Sequence, residues 1–228
     1  SETIQARRIG LTFAKGEAVK YIPHLAVMRA WERIIRRANL PIGYSHGFNP
    51  RPKLTFASAL PVGYMGEREV LEIELREPLE PGDVLGRLRA ELPPGFAVHE
   101  AWDAPLKGPS LQSQVCEAEY SVRFDPSVRA EVLQAQIERL LGADSLPRER
   151  TVKGKVRRYD LRPLIHALGY TGFNGAHMVH MLLAAADSGT ARVDEVAAEM
   201  GLLDHMRSVT RTRLMFAEES SNLKENEL

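Results

Sequence analysis

Ile9, Leu11 and Phe13 alternate with Arg8, Gly10 and Thr12, the two-residue period of a strand with one buried face. The period changes after Pro23. There Leu25, Met28, Ile35 and Ala38 recur at three- to four-residue spacing and predict a helix whose other faces carry Arg29, Arg33, Arg36 and Arg37. Leu54 to Ala57 predict a second strand. A third is read from Leu71, Ile73 and Leu75 alternating with Glu72, Glu74 and Arg76. Pro81-Gly-Asp83 opens a second helix through Val84, Leu85 and Leu88, which Pro93-Pro94 ends, and Phe96, Val98 and Trp102 mark a fourth strand.

A similar order recurs downstream in pattern, without residue-by-residue identity. Cys116, Ala118, Tyr120, Val122 and Phe124 alternate with Glu117, Glu119, Ser121 and Arg123. Asp125-Pro126 reads as a helix cap followed by proline in the first turn, with Val132, Leu133, Ile137, Leu140 and Leu141 as the buried stripe. Arg148 to Tyr159 predicts a hairpin turning near Lys153-Gly154, and Asp160 a cap for a short helix through Leu164, Ile165 and Leu168 to Gly169. Met178 to Ala186 predicts a strand, Val193 to Met200 a helix closed by Gly201, and Thr210 to Phe216 a last strand. The expected fold is α+β, with two tandem ferredoxin-like (βαββαβ) domains, the second embellished. Their expected bounds are 1–104 and 114–218, with a linker at 105–113 and a flexible tail at 219–228.

Composition adds what periodicity omits. Hydrophobic residues make up 44% of 228, enough for a substantial core. Thirty basic and thirty acidic residues cancel, so no global field marks a nucleic-acid or membrane protein. The distribution is uneven. Residues 1–60 hold ten Lys/Arg against Glu2, Glu17 and Glu32, and a second basic block runs from Arg148 to Arg162. The single Cys116 excludes an intrachain disulfide and any multi-thiolate metal site built from this chain alone. With no apolar run of membrane-spanning length and no signal-peptide pattern, the expectation is a cytoplasmic protein, off the membrane, with no cofactor in this chain.

The chemistry concentrates in Tyr44-Ser-His-Gly-Phe-Asn-Pro-Arg-Pro-Lys53. Two prolines stiffen this segment while Gly47 relaxes it, and the predicted loop presents Tyr44, His46, Phe48, Asn49, Arg51 and Lys53. Aromatic rings can stack on bases while cations reach phosphates. Arg33, Arg36 and Arg37 on the first helix, and Lys153, Lys155 and Arg158 on the hairpin, are candidate supports for the same grip, although a charged helix face also serves solubility. His24 and His46 are the candidates for metal-free acid–base chemistry. His177 and His180 fall on opposite faces of a predicted strand, which disfavours a metal site between them. No P-loop, dinucleotide fingerprint, nucleophile elbow or paired-Cys motif is present.

Four runs together carry a family resemblance: Lys20-Tyr-Ile-Pro-His-Leu-Ala-Val-Met-Arg29, Arg36-Arg37-Ala-Asn-Leu-Pro41, Tyr44 to Lys53, and Phe56-Ala-Ser-Ala-Leu-Pro-Val-Gly63. They resemble the radical-SAM-associated (radical-SAM-linked) domain family of unknown function, and Lys153-Gly-Lys155 with Asp160-Leu-Arg-Pro163 resembles its second half. Ala26 stands where that family has an acidic residue, which removes any role for that carboxylate here. The resemblance implies an accessory protein to a radical SAM partner. The lone cysteine agrees, since such a cluster needs three thiolates. The basic tandem fold is also similar to RNA-processing proteins of CRISPR systems, a likeness of fold only. Three readings follow in order: a module binding RNA or another anionic ligand, a protein-interaction subunit docking the radical SAM partner, and a metal-free RNA-processing enzyme.

Overall fold

Strand β1 (Arg7–Lys15) is the spine of the first half, with Ile9, Leu11 and Phe13 all buried on one face. The computed structural model describes residues 6–173 and 175–217. After β1 the chain passes through a 3-10 turn to helix α1 (His24–Arg37), strand β2 (Leu54–Phe56) and strand β3 (Met65–Leu75). Helix α2 (Pro81–Glu91), strand β4 (Phe96–Ala104) and the one-turn helix α3 (Leu111–Gln114) complete this part. Its sheet order is β4-β1-β3-β2 with every neighbouring pair antiparallel. The register sets Ile9 opposite Ile73 and Leu11 opposite Leu71, so both strands turn apolar side chains to the same side. Helices α1 and α2 contribute to the core there through Val27, Trp31, Ile34, Ile35, Val84 and Leu88.

Trp31 is wholly buried and meets Phe13 edge-on at 5.0 Å and Phe96 at 6.3 Å between ring centroids. It corrects the helix face expected from spacing. The buried stripe is Val27, Ala30, Trp31, Ile34 and Ile35, whereas Leu25 is 56% exposed. At 100° per residue Leu25 lies opposite that stripe, and the large indole outweighs a lone leucine in choosing the face. Upstream, buried Lys15 donates its ammonium to the Lys20 and Ile22 carbonyls at 3.0 and 3.2 Å, which fixes the turn leading into α1. Burial pushes the Lys15 pKa down, against the attraction of Glu69.

The chain divides into two compact units, Ser1–Gln114 and Val115–Leu228. In the second, strand β5 (Val115–Phe124) leads to helix α4 (Ala130–Leu141), then the hairpin strands β6 (Pro147–Val152) and β7 (Lys155–Asp160). Strands β8 (Ile165–Phe173), β9 (Ala176–Ala186) and β10 (Gly189–Thr190), helix α5 (Val193–Glu199) and strand β11 (Met206–Phe216) follow. The main sheet runs β11-β5-β9-β8, again antiparallel throughout, with β10 also on β9.

Two expectations fail here for local reasons. Helix α4 starts at Ala130 and not after Asp125, because Asp125 caps a separate turn by accepting the Ser127 N–H at 2.8 Å. Its carboxyl is held down at about 2 by hydrogen bonds from the Ser127 hydroxyl and N–H and by the Arg207 guanidinium. The segment expected as a helix from Asp160 to Gly169 is a three-residue 3-10 turn (Arg162–Leu164) running into β8. Leu161, not Asp160, stands at the cap of that turn, while the Asp160 carboxylate accepts the Arg162 N–H at 2.9 Å. Ile165 and its neighbours then pair with β9. The stretch expected as a linker ends in α3. The expected tail at 219–228 lies outside the described residues. Among the described residues no helix is long and apolar enough to cross a membrane.

Because Trp31 fills the space between α1 and the sheet, Trp31→Ala is expected to cost roughly 3–5 kcal/mol of stability. Urea denaturation of the two proteins measures this. A loss under 1 kcal/mol would mean that α1 is held by its other contacts.

Candidate nucleic-acid interface

Helix α1 ends in a tight cap that builds the site. Asn39 adopts a left-handed conformation (φ 51°), its N–H bonds the Arg36 carbonyl at 3.1 Å, and Leu40 N–H bonds Ile35 at 3.2 Å. This is a Schellman motif, which turns the chain back across the helix end and buries Leu40. The next residues zip onto the end of β3. Arg76 N–H bonds the Pro41 carbonyl at 2.8 Å, and Gly43 N–H bonds Glu74 at 2.7 Å. Arg76 is thereby carried to the C-terminal end of α1. Gly43 has little room to change, since a Cβ there would lie 3.2 Å from the Glu74 carbonyl oxygen.

A hairpin-like loop follows. Tyr44 bridges Pro52, Lys53 N–H bonds the Gly43 carbonyl at 2.8 Å, Ser45 N–H bonds Arg51 at 2.9 Å, and Arg51 N–H bonds the Ser45 hydroxyl at 3.0 Å. Residues 44–51 are all exposed, and Phe48 at the tip is completely so. Gly47 takes φ 127°, a region that side chains rarely adopt, at the sharpest point of the loop.

Between this loop and α1 lies a cleft of about 630 Å³. Its cationic wall is Arg29, Arg33, Arg36 and Arg76, its rim includes Tyr44, and Glu32 is the acidic residue that lines it. None of these four arginines forms an ion pair within 4.0 Å among the described residues. The neighbouring cations differ. Arg37 is bound to Glu91 at 2.9 Å, and the Lys53 ammonium is paired with Glu74. Of the residues expected to form the grip, the structure thus brings Tyr44, Arg33 and Arg36 together in the cleft. Arg51, His46, Phe48 and Asn49 sit on the exposed loop, and Arg37 and Lys53 are neutralised by partners. Arg29, Arg76 and Asn39 are cleft residues that the expected grip omitted. Arg29 was visible on the helix face; Arg76 was not, because only strand pairing delivers it.

His24 and His46 are not brought into contact. His24 begins α1 and packs edge-on against Phe56 at 5.2 Å, lining a tight space with Lys15 and Glu69, while His46 is on the exposed loop. In the second unit, His177 and His180 occupy opposite faces of β9, and His177 Nδ1 is engaged by the Tyr170 hydroxyl at 2.8 Å. Among the described residues no cluster of three or more potential metal ligands occurs. Lys153 and Lys155 lie at the exposed β6–β7 turn, and Arg158 is paired with Glu149 at 2.8 Å.

The sequence from 8 to 193 matches the family described as uncharacterized protein conserved in bacteria (DUF2344), and the chain belongs to it. That description carries no link to radical SAM chemistry, which rests on the motif resemblance alone. No curated protein matches the chain. Among solved structures, a Cbf5-Nop10-Gar1 complex is similar at 15% identity and TM-score 0.46, covering 93% of this chain and 50% of that one. An H/ACA RNP bound to a substrate RNA gives 15% identity and TM-score 0.44, with 93% and 48% covered. A protein from Galdieria sulphuraria gives 10% identity and TM-score 0.28, with 88% and 92% covered. The chain spans about half the length of the first of these. At such scores the likeness decides neither fold nor activity.

If the cleft holds anions, Glu32 opposes them. Glu32→Gln is expected to tighten binding of inorganic phosphate several-fold at low salt by removing the repulsion between like charges. Isothermal titration of both proteins checks this, and weaker binding by the variant would mean that Glu32 organises the arginines.

Proposed function

We propose that the protein is a binding module for RNA, without a cofactor of its own, that holds the phosphate backbone in the α1 cleft. The carrying observation is the set of four arginines without an ion pair among the described residues, Arg29, Arg33, Arg36 and Arg76, converging on one open cleft. A charged face made only for solubility has no need of convergence. Tyr44 on the rim offers a flat apolar surface beside the cations, and Phe48 a second, exposed one on the same loop; rings and cations together are the combination that holds single-stranded RNA by stacking and charge. The open shape suits a polymer passing through, whereas a small cofactor is usually enclosed.

We infer also that each unit is a ferredoxin-like half. The sheet orders β4-β1-β3-β2 and β11-β5-β9-β8, each antiparallel, with α1 and α2 in the first unit and α4 and the shorter α5 in the second, support this reading, with β6 and β7 as the embellishment of the second. The site then lies on a helical side of the first half and uses the loop between its first helix and second strand. In this proposal the module presents RNA to a radical SAM partner, a role supported by the motif resemblance.

A second reading, docking of the partner protein itself, draws support from Phe48, since a bare aromatic at a stiffened loop tip is a common anchor of protein interfaces. Processing of RNA through His24 and His46 draws none from the geometry, because the two rings do not meet.

Four phosphate contacts give an expected log–log slope of RNA affinity against salt near about −2.8 for a single strand, and Arg33→Ala with Arg36→Ala should make it shallower by about 1.4. Fluorescence anisotropy with a labelled oligouridylate measures both. Absence of RNA affinity at low salt would remove the proposal. Co-purification with a radical SAM protein, retained after nuclease treatment and lost with Phe48→Ala, would favour docking.

A further inference from the structure

The second unit carries a charged element that the cleft does not involve. Strands β6 and β7 form a separate two-stranded ribbon joined by Lys153 and Gly154, at φ 50° and 75°, a turn that matches the twist of a tight hairpin. The basic block that looked uniform in sequence is sorted by this ribbon into two populations. At the foot, Arg150 grips Glu195 with two hydrogen bonds of 2.7 and 2.6 Å and lies over the Tyr159 ring at 4.8 Å. Arg148 reaches Glu199 of α5 at 3.0 Å, and Asp160 ties the two strand ends by accepting the Leu146 N–H at 2.7 Å. Beyond this foot, residues 151–158 are all exposed. Lys153 and Lys155 at the turn, and Arg157 across the ribbon from Arg150, form no ion pair within 4.0 Å among the described residues.

Lysines on a two-stranded ribbon also discourage unwanted edge pairing. That function is served by a loosely attached ribbon as well. It gives no reason to clamp the foot with a bidentate Arg150–Glu195 pair, a stacked tyrosine and a second ion pair. A stiff foot with unpaired cations at the far end is what a contact arm requires, since less ordering is left to be done on binding.

The chemistry of the tip selects the partner. Protein interfaces are depleted in lysine and centre on aromatic or arginine anchors in pockets. Here the apolar residues at the tip are Val152 and Val156, and the aromatic Tyr159 is covered by Arg150. Asn and Gln, the side chains that read adenine edges, are absent from 147–160. Lysine and arginine can also meet guanine edges, but their least demanding contact is the phosphate, which carries no sequence information. We propose that the β6–β7 ribbon is a sequence-independent clamp on an RNA phosphate backbone, with Lys153, Lys155 and Arg157 as its contacts. The choice of RNA rests on the binding function inferred above; the arm itself shares no residue with the cleft.

The test is a salt titration of affinity for a single-stranded oligouridylate and for an RNA duplex of equal length. It compares the wild type, the triple variant Lys153→Ala/Lys155→Ala/Arg157→Ala, and the cleft variant Arg33→Ala/Arg36→Ala. The triple variant should make the slope shallower by about 2 for whichever probe the ribbon holds, three contacts at ~0.7 each for a single strand. It should melt at the wild-type temperature, because its sites are exposed. Lys153→Arg/Lys155→Arg should keep the wild-type slope. An unchanged slope for both probes in the triple variant, with the cleft variant still weakened, overturns the clamp and leaves the cleft standing. A wild type that binds neither probe removes both. Loss of an acidic protein partner by the triple variant, with RNA affinity intact, overturns the clamp in favour of protein docking.

Discussion

The rotation of α1 about its own axis is the constraint on which the rest of the first unit depends, and Trp31 sets it. An indole packed edge-on to Phe13 and near Phe96 leaves one orientation of the helix that buries it fully. Each residue advances the helix by 100°, so fixing Trp31 also fixes the directions of Arg29, Arg33 and Arg36. Had Leu25 chosen the face, the arginines would turn towards the sheet and the helix would bury charge. The cationic wall is thus a consequence of core packing, not an independent surface feature. The buried ammonium of Lys15 acts one step earlier by holding the carbonyls of Lys20 and Ile22, so that the helix enters at a set position.

The second determinant is how the chain leaves α1. The Schellman cap at Asn39 and Leu40 reverses direction within two residues, and the following hydrogen bonds to the end of β3 convert a flexible exit into a fixed edge. Arg76 and the arginines of α1, some forty residues apart in sequence, meet because backbone groups of Pro41 and Gly43 are satisfied by β3. Pro41 suits this edge, since its carbonyl accepts while it has no N–H that would need a partner. The exposed loop beyond is closed at its foot by the Tyr44–Pro52 bridge, which lets eight successive residues stand in solvent without loosening the cleft.

Much of this was legible in the sequence where period and punctuation agree. Alternation in β1 and β3, proline at the start of α2 and the Lys153-Gly154 turn each rest on local rules, and the structure places an element there. The segment from Asp160 to Gly169 was misread because Leu164, Ile165 and Leu168 at helical spacing are too few to separate a helix from a strand, and pairing with β9 decides the matter. Asp125 was misread because a capping side chain followed by proline starts a turn as readily as a helix. In the site, residue type was legible and pairing was not. Lys53 and Arg51 look equivalent in sequence, yet strand pairing sets Glu74 beside Lys53, while Arg51 forms no ion pair among the described residues. Arg148 and Arg150 look like the same basic block as Lys153 and Lys155, yet α5 claims the first two.

Partner-by-partner sorting of cations matters more here than the total. With thirty basic and thirty acidic residues the protein has no net field to draw a polyanion from a distance. In physiological salt, charges act over about 8 Å, so a neutral protein must recognise phosphate at contact range. A cation already paired with a carboxylate contributes little there, since binding a phosphate first requires breaking an existing interaction. Arg29, Arg33 and Arg36 of α1 and Lys153 and Lys155 at the ribbon turn, which have no ion pair among the described residues, escape that cost. A protein organised in this way should associate slowly compared with strongly basic RNA binders and owe its salt dependence to a small number of local contacts. That rests the proposed phosphate contacts on α1, its cap and the ribbon foot, which are the parts that packing makes rigid.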